Sequence, residues 1–402
     1  MATTLHTPAN VAELADLLRQ ASATGQTASV TGGGTKAALG RPVVPDLDIH
    51  LDAFAGVVSF EPEEMVLVAG AATRMARIEA LLAEANQMLA FEPPDWATLW
   101  GAPARRATLG GTVACNLSGS RRIKAGAARD HLLGLDGVTG AGEVFKAGGR
   151  VVKNVTGYDL CKLFAGSFGT LAVATRLVLR TVPRPEVAET LVFASADDAS
   201  GIDLLGQAAA SPMEPSGLAH LPAGIGGMRL ARTLVRLEGT PVSVAARVAS
   251  LGRLGKLIQR LDGPGAAPLW ADLGTGALVA EGGGDLWRLS LPPSGGAGAA
   301  AQIAAAIPGA RHVFDWAGGL IWLAVPAAAP GYATVMQAAS IRAAVGDHGG
   351  GHATLVRASA EVRGTVAPFA PEDAGLALLA ARVKQAFDPS AVLEPGRMVA
   401  GR

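Results

Sequence analysis

The chain has 402 residues, 50% hydrophobic and only 17% charged, with 34 basic side chains against 34 acidic ones. At roughly 150 residues per domain this allows two or three domains with a large core, and it is far too apolar for a disordered chain. A formal net charge of zero argues against a nucleic-acid binder, which carries a basic excess or basic stripes.

Two cysteines, Cys115 and Cys161, cannot form a disulfide scaffold or supply the thiolates of an iron–sulfur cluster. If this chain moves electrons, it does so with an organic cofactor and hands them to another chain. The opening Met-Ala-Thr-Thr-Leu-His shows no basic segment followed by an apolar one, so no secretory signal is read. Between Asp315 and Arg342 the sequence is uncharged, but Pro326 and Pro330 interrupt it. Its apolar part, 320–325, has the length of a strand rather than of a membrane span. The expected location is cytoplasmic, with peripheral attachment at the inner membrane through partners as a further option.

In chain order, residues 8–23 carry Val11, Leu14, Ala15, Leu17 and Leu18 at helical spacing. Residues 28–30 read as a short strand running into the glycine loop 31–36. Residues 65–69 read as a buried strand and 74–86 as a helix. The region 138–145 reads as a hairpin around Gly140 and Gly142, and 171–182 as a strand ending at Pro183. A domain boundary is expected near Pro183-Arg-Pro185. Beyond it the pattern predicts a strand at 189–195, a helix at 197–209, a strand at 229–237, one long helix at 241–261 and a strand at 285–291. A helix at 298–307, a strand at 319–325 and a helix at 331–345 follow. This mixture without a strict βαβ alternation indicates an α+β fold. No long-period repeat is visible.

The densest pattern lies in 101–170, where glycines alternate with hydroxyl residues: Gly110-Gly-Thr-Val-Ala-Cys-Asn-Leu-Ser-Gly119 and Gly166-Ser-Phe-Gly-Thr-Leu171. Glycine loops can turn backbone amides toward an extended anion such as a pyrophosphate. They can equally be tight turns between strands. Neither G-x-G-x-x-G after the first strand nor G-x-x-x-x-G-K-[ST] is present, which disfavours a nicotinamide Rossmann enzyme and an ordinary ATPase. His348 and His352 have i, i+4 spacing, but three glycines lie between them and argue for a loop rather than a helical metal pair. Asp159, ahead of Leu-Cys-Lys-Leu-Phe, could simply cap a short helix.

Taken in order, several stretches resemble the vanillyl-alcohol oxidase / p-cresol methylhydroxylase (PCMH) superfamily, and within it the FAD-binding subunits of bacterial glycolate oxidases. They are Val30-Thr-Gly-Gly-Gly-Thr-Lys-Ala-Ala-Leu-Gly-Arg-Pro42, Gln87-Met-Leu-Ala-Phe-Glu-Pro-Pro94, the two glycine segments above, and Arg129-Asp130. Val152-Lys-Asn-Val-Thr-Gly-Tyr-Asp-Leu160, Gly350-Gly-His-Ala-Thr354 and Glu394-Pro-Gly-Arg-Met398 complete the set.

The resemblance implies a two-lobed PCMH-type FAD-binding domain over 1–183, an α+β, ferredoxin-like cap domain over 184–345, and a segment, 346–402, returning to the first domain. Thr31, Gly32, Gly33, Gly34, Thr35 and Lys36 would carry the pyrophosphate. Gly110, Gly111, Thr112, Asn116, Ser118 and Gly119 would line the flavin and its phosphates. Asn154, Gly166, Ser167, Gly169 and Thr170 would reach the ribityl and adenine side. Pro94, Arg129, Asp130, Val138, Gly157, Tyr158, Asp159 and Arg397 complete the expected cofactor set, with Arg129 offsetting phosphate charge.

Some members of the superfamily attach flavin through a His or Cys. No histidine lies in 31–40, and the related glycolate oxidase pattern does not use Cys115, so non-covalent FAD is expected. Only His220 and His312 fall within 184–340, so no metal cluster is expected, and Glu394 stands where the superfamily usually has Asn. The implied activity is oxidation of glycolate to glyoxylate. The implied partners are a catalytic flavin subunit and an iron–sulfur subunit of a glycolate oxidase complex, and no catalytic base can be named. Two other readings stay open: a stand-alone FAD-dependent 2-hydroxy-acid dehydrogenase, and a non-catalytic assembly subunit with an empty cradle. The uncharged stretch 316–341 would suit a buried interface in the second of these.

Overall fold

A computed structural model describes residues 3–149, 157–281, 283–328 and 330–401. The chain divides into two compact units. One comprises Met1–Leu117, Gly126–Arg184 and Pro371–Arg402; the other comprises Ser118–Ala125 and Pro185–Ala370. The first unit gives way to the long part of the second between Arg184 and Pro185. The return to the first unit comes between Ala370 and Pro371, after His352–Arg357 has joined the second unit's sheet. The short excursion 118–125 belongs to the second unit as well, which sequence did not suggest.

The first unit opens with a strand, Thr4–His6, and a helix, Val11–Thr24. Asn10 Oδ1 accepts from the Glu13 amide at 3.0 Å, and Gly25 ends the helix in the left-handed region (φ 70°). Leu14, Leu18 and Ala21 fall on one helical face and are buried against Leu47, Ile49, Val138, Val392 and Leu393. Strands Thr4–His6, Leu47–His50 and Ala28–Thr31 form a small parallel sheet in that order. A second, antiparallel sheet orders Val57–Glu61, Val66–Gly70, Ala172–Arg180, Leu132–Thr139 and Val144–Gly148. It packs with the helix Met75–Glu84 and with Leu109–Ala114 around Ile78, Leu82, Phe91, Leu109 and Leu177. The chain's return is pinned by Asp388, whose buried carboxylate accepts from the amides of Val392 (2.9 Å) and Leu393 (2.8 Å) and pairs with Lys384 at 2.6 Å.

The second unit is one eight-stranded antiparallel sheet made of two βαββαβ halves. The first half runs Val187–Ser195, helix Asp198–Ala210, Gly217–Leu221, Ala231–Gly239, helix Pro241–Leu251 and Lys256–Asp262. The second runs Asp285–Ser290, helix Gly296–Ala306, Arg311–Asp315, Leu320–Val325, helix Tyr332–Asp347 and His352–Arg357. Each half has its first and third strands central, which is ferredoxin-like. Between Gly217–Leu221 and Arg311–Asp315, His220 stands opposite Phe314. The four helices of these halves cover one sheet face, and Leu191, Phe193, Leu205, Val235, Leu289, Ile303, Ile321 and Ile341 fill the core between.

The single helix predicted over 241–261 is wrong. The chain leaves the helix at Leu251, turns through Gly252 and Gly255, and becomes an edge strand paired with Val187–Ser195. Helical spacing in Leu254, Leu257 and Leu261 was outweighed by backbone pairing with a long neighbour strand. The glycine run before His352 is a loop as read, but a strand starts at His352 itself.

Candidate cofactor site

The strand Ala28–Thr31 ends in a loop that lines a cavity of about 470 Å³ in the first unit. Thr31, Gly32, Gly33, Gly34, Thr35 and Lys36 form one wall. Thr108, Gly110, Gly111, Ala114 and Cys115 form another, and Phe168, Gly169, Ala172, Glu394 and Arg397 close the rest. Glycine is favoured at two of these points for different reasons, a close backbone at one and a left-handed φ at the other. A Cβ on Gly33 would sit 1.9 Å from the Arg106 carbonyl oxygen, and Gly34 adopts φ 70° with open space in front of it.

Lys36 is buried in this wall, and its Nζ donates to Thr35 Oγ1 at 3.0 Å. Burial lowers the ammonium's pKa, against the raising effect of Cys115 and Asp95. Burial also pushes the Cys115 thiol upward, with Lys36 and Arg397 pulling the other way. Arg397 acts as a clamp on the loop. Its Nε donates to Leu39 O (3.1 Å), its Nη2 to Lys36 O (2.7 Å), and its Nη1 lies 3.1 Å from Glu394 Oε1. The same Glu394 oxygen accepts from Ser29 Oγ and the Val30 amide, both at 3.0 Å. A carboxylate at 394 therefore ties the C-terminal return to the glycine loop, as a neutral Asn could do only without the ion pair.

Around the cavity the backbone is strained at three non-glycine residues, Asn116 (φ 49°), Phe168 (φ 55°) and Glu394 (φ 47°). Each such position costs about 1–3 kcal/mol unless its surroundings impose it, and such residues gather at ligand sites. Two buried hydroxyls of the region, Thr112 Oγ1 and Ser167 Oγ, have no hydrogen-bond partner among the described residues. Unmatched polar atoms beside a glycine-walled cavity fit a polar, extended ligand. The donor set fits FAD: loop amides and one buried ammonium for the phosphates, with Phe164 and Ala174 offering apolar lining for rings.

Of the expected cofactor residues, Thr31 to Lys36, Gly110, Gly111, Gly169 and Arg397 line the cavity. Gly166, Ser167 and Thr170 form the adjoining turn, where the Gly166 amide donates to Ala114 O at 3.0 Å and Thr170 Oγ1 donates to Ser167 O at 2.7 Å. Asn116 Oδ1 accepts from the Arg129 amide at 3.0 Å, and Asp130 accepts from the Ala127 amide at 2.8 Å. The Arg129 side chain is outside the cavity lining and half exposed; Lys36 and Arg41 are the other cations that line it beside Arg397. Val138 lies in the core, and Pro94 and Gly157 are not part of the lining. Tyr158 is 94% exposed, and Asp159 caps the helix Leu160–Phe164 through the Lys162 amide (3.0 Å). Ser118 and Gly119 belong to the second unit, where Gly119 O accepts from Trp316 Nε1 at 3.1 Å. Asn154 lies outside the described residues. Ser29, Phe168 and Arg41 also line the cavity and were not among the expected residues; Phe168 and Arg41 lie inside quoted motifs and were within reach.

His348 and His352 do not pair: His348 Nε2 meets Gln302 Oε1 at 3.0 Å, and His352 opens a strand. Among the described residues no group of three or more His, Cys, Asp and Glu side chains is placed to hold a metal ion. Nor is any helix among them long and apolar enough to cross a membrane.

A glycine-walled cavity behind a short parallel sheet, with an antiparallel sheet beside it in the same unit, defines an FAD-binding domain. Residues 3–148 match the "FAD binding domain" family. Over 376 residues the chain is 35% identical to the glycolate oxidase subunit GlcE of Escherichia coli K12, covering 92% of each. It therefore belongs to that family of FAD-dependent oxidoreductases. A shorter match, 39% over 102 residues, covers 25% of this chain and 21% of the glycolate oxidase subunit GlcD of Bacillus subtilis. Among solved structures, p-cresol methylhydroxylase with substrate bound aligns over 99% of this chain and 89% of its own, with TM-score 0.71 at 15% identity, a likeness of fold.

Proposed function

We propose that this chain is an FAD-binding subunit of a multi-subunit glycolate oxidase. In this reading it holds FAD non-covalently in the glycine cavity and passes electrons to an iron–sulfur partner chain. The observation that carries the reading is the cavity itself, walled by the glycine loop in a chain related to GlcE over nearly all its length. FAD, when bound, supplies a two-electron acceptor for oxidation of a CH–OH group to a carbonyl. The chain's own residues would bind and orient it: the loop 31–36 with Lys36 would hold the diphosphate, and Arg397 with Glu394 holds that loop in shape. Non-covalent attachment is favoured because burial holds the Cys115 thiol up, away from the thiolate that would attack a flavin ring. Two cysteines are too few for an iron–sulfur cluster, which favours a separate chain for onward transfer. A partner of that kind would also account for any attachment to the inner membrane.

The test is spectroscopic. The purified chain should be yellow, all colour should pass to the supernatant on acid precipitation, and an iron–sulfur protein should co-purify from the native source. A colourless chain that takes up no added FAD would overturn the reading. Colour retained in the acid pellet would overturn its non-covalent part.

A further inference from the structure

The C-terminal return of the first unit carries a helix, Ala374–Phe387, of 14 residues, none of them buried. Asp373 caps it, accepting from the Leu376 amide at 2.9 Å. The C-terminal half of the helix is docked. Lys384 Nζ donates to Thr170 O (2.7 Å) and Leu393 O (2.9 Å) and pairs with Asp388 (2.6 Å). The Phe387 ring meets Phe145 edge-on, with centroids 6.2 Å apart. The N-terminal half is not docked: Leu376, Leu378 and Leu379 are 50%, 55% and 57% exposed.

A helix this short is marginal in water by itself, and it ordinarily gains stability by burying its apolar stripe. Here that arrangement is inverted. Ala377, Ala380 and Ala381 are half-buried, while the long apolar side chains point outward. At about 100° per residue, Gly375, Leu379, Arg382 and Ala386 form one outward row, flanked by Glu372 and Leu376 on one side and Leu378 on the other. All seven residues are exposed. A single solvated leucine is ordinary; three among four successive residues on a projecting half-helix form a patch that calls for a cover.

The charges at its two ends say what that cover is. Glu372 precedes the patch and Arg382 follows it, each five positions from Ala377. Neither side chain makes a hydrogen bond or ion pair with any described residue. The face is therefore complementary to itself when reversed. A second copy laid antiparallel about a twofold axis at Ala377 sets Glu372 beside Arg382, Leu379 over Gly375 and Leu376 beside Leu378, each pair occurring twice as an isologous contact requires. A parallel copy would instead set Glu372 beside Glu372 and Arg382 beside Arg382.

We propose that the outward face of the helix Ala374–Phe387 is a self-association surface, covered by the same helix of a second copy in antiparallel register centred on Ala377. The patch is small, so the dimer exchanges with monomer and its population depends on concentration. None of these residues lines the glycine cavity, so the proposal stands apart from the flavin reading.

The experiment is sedimentation equilibrium on the purified full-length chain with FAD added. The wild-type chain should show a concentration-dependent monomer–dimer equilibrium. Leu379→Glu should weaken it by roughly 100-fold, as for an interface anchor replaced by a charge. Glu372→Arg and Arg382→Glu, each alone, bring like charges together and should weaken it by roughly tenfold. An equimolar mixture of those two single variants should associate more tightly than either alone, because opposite charges face each other again in the mixed pair. The double variant Glu372→Arg/Arg382→Glu should return to the wild-type level. A wild-type chain that stays monomeric at every concentration overturns the proposal, as does a mixture no tighter than its components or a Leu379→Glu dimer as stable as the wild type. If Leu379→Glu fails to fold by circular dichroism, the charge mixture decides. A monomeric wild-type chain that captures a different chain, with capture lost in Leu379→Glu, overturns self-association and gives this face to that partner.

Discussion

The cavity of the first unit and the Arg288 cluster of the second both gather positive charge, but they are built in opposite ways. The cavity is mostly main chain. Its walls come from two contiguous glycine segments, and its precision depends on where side chains are missing, as at Gly33 and Gly34. The cluster is all side chain, gathered from Arg122, Arg288, Trp316 and His352 on four separate segments. A wall made of absences tolerates no added atom, whereas a cluster made of long side chains gives way in graded steps.

The sharpest way to break this contrast is to add one methyl group to the cavity. In Gly33→Ala the new Cβ meets a backbone carbonyl that cannot swing away, so the loop must move. FAD affinity should fall by more than ~100-fold, given an overpacking cost of about 1–3 kcal/mol plus the lost geometry, read as the flavin-to-protein absorbance ratio. Near-normal flavin content in this variant would mean that the loop does not face the cofactor.

Next in size is Asp388→Asn, which strips the charge partner from Lys384 and weakens the acceptor of two amides that carry the C-terminal return. Breaking a buried pair from one side costs about 3–5 kcal/mol, so the urea midpoint should drop clearly. The loss should appear in the first unit's transition and leave the second unit's unchanged.

The second unit offers its own stability test. Asp198 accepts from His220 Nε2 at 3.2 Å and His312 Nε2 at 2.7 Å. Burial alone would raise its carboxyl, but those two imidazoles, by hydrogen bonding and charge, hold it well below the usual carboxylate range. A depressed folded value means the contribution is complete above the unfolded pKa of about 4 and fades as pH falls through the lower folded one. Asp198→Asn should cost about 1–3 kcal/mol at pH 7, and the gap from wild type should close in urea titrations carried toward pH 2. A gap that persists unchanged there would show that the carboxylate charge is irrelevant.

The smallest expected effect concerns the one side-chain charge buried in the cavity loop. Lys36→Met keeps the volume and removes the ammonium, and should weaken FAD roughly tenfold with little change in folding, measured by flavin fluorescence quenching. Unchanged affinity would mean that the cavity relies on amides alone and would make the contrast between the two regions absolute.

The same contrast explains what could be read from sequence. The loop 31–36 and the Gly110-Gly111 turn were legible because their chemistry is local and contiguous. The Arg288 cluster was not, since nothing in the local sequence says that Arg288 will share an indole with Arg122. Tyr158 and Asp159 entered the expected cofactor set through a motif; in the structure Asp159 makes the capping bond that its position also suggested, and Tyr158 is exposed. The α+β class and most strands were legible through alternation. The paired βαββαβ halves were not, because the two first strands begin 98 positions apart, at Val187 and Asp285, and share topology rather than a repeating residue pattern. The strand Lys256–Asp262 was hidden because its leucines keep helical spacing, and only its neighbour decides its state.

One feature of that doubled sheet bears on how it comes apart. Where the halves meet, the strand register pairs His220 with Phe314, and around them His312, Phe314 and Asp198 interlock, with the His312 and Phe314 rings edge to face at 5.0 Å. The seam is thus mortared by two imidazoles, a phenyl ring and a carboxylate more than by peptide groups. Acid that neutralises the carboxylate removes this polar tie but leaves the hydrophobic core common to both halves, so the seam should soften while the unit still melts as a single slab.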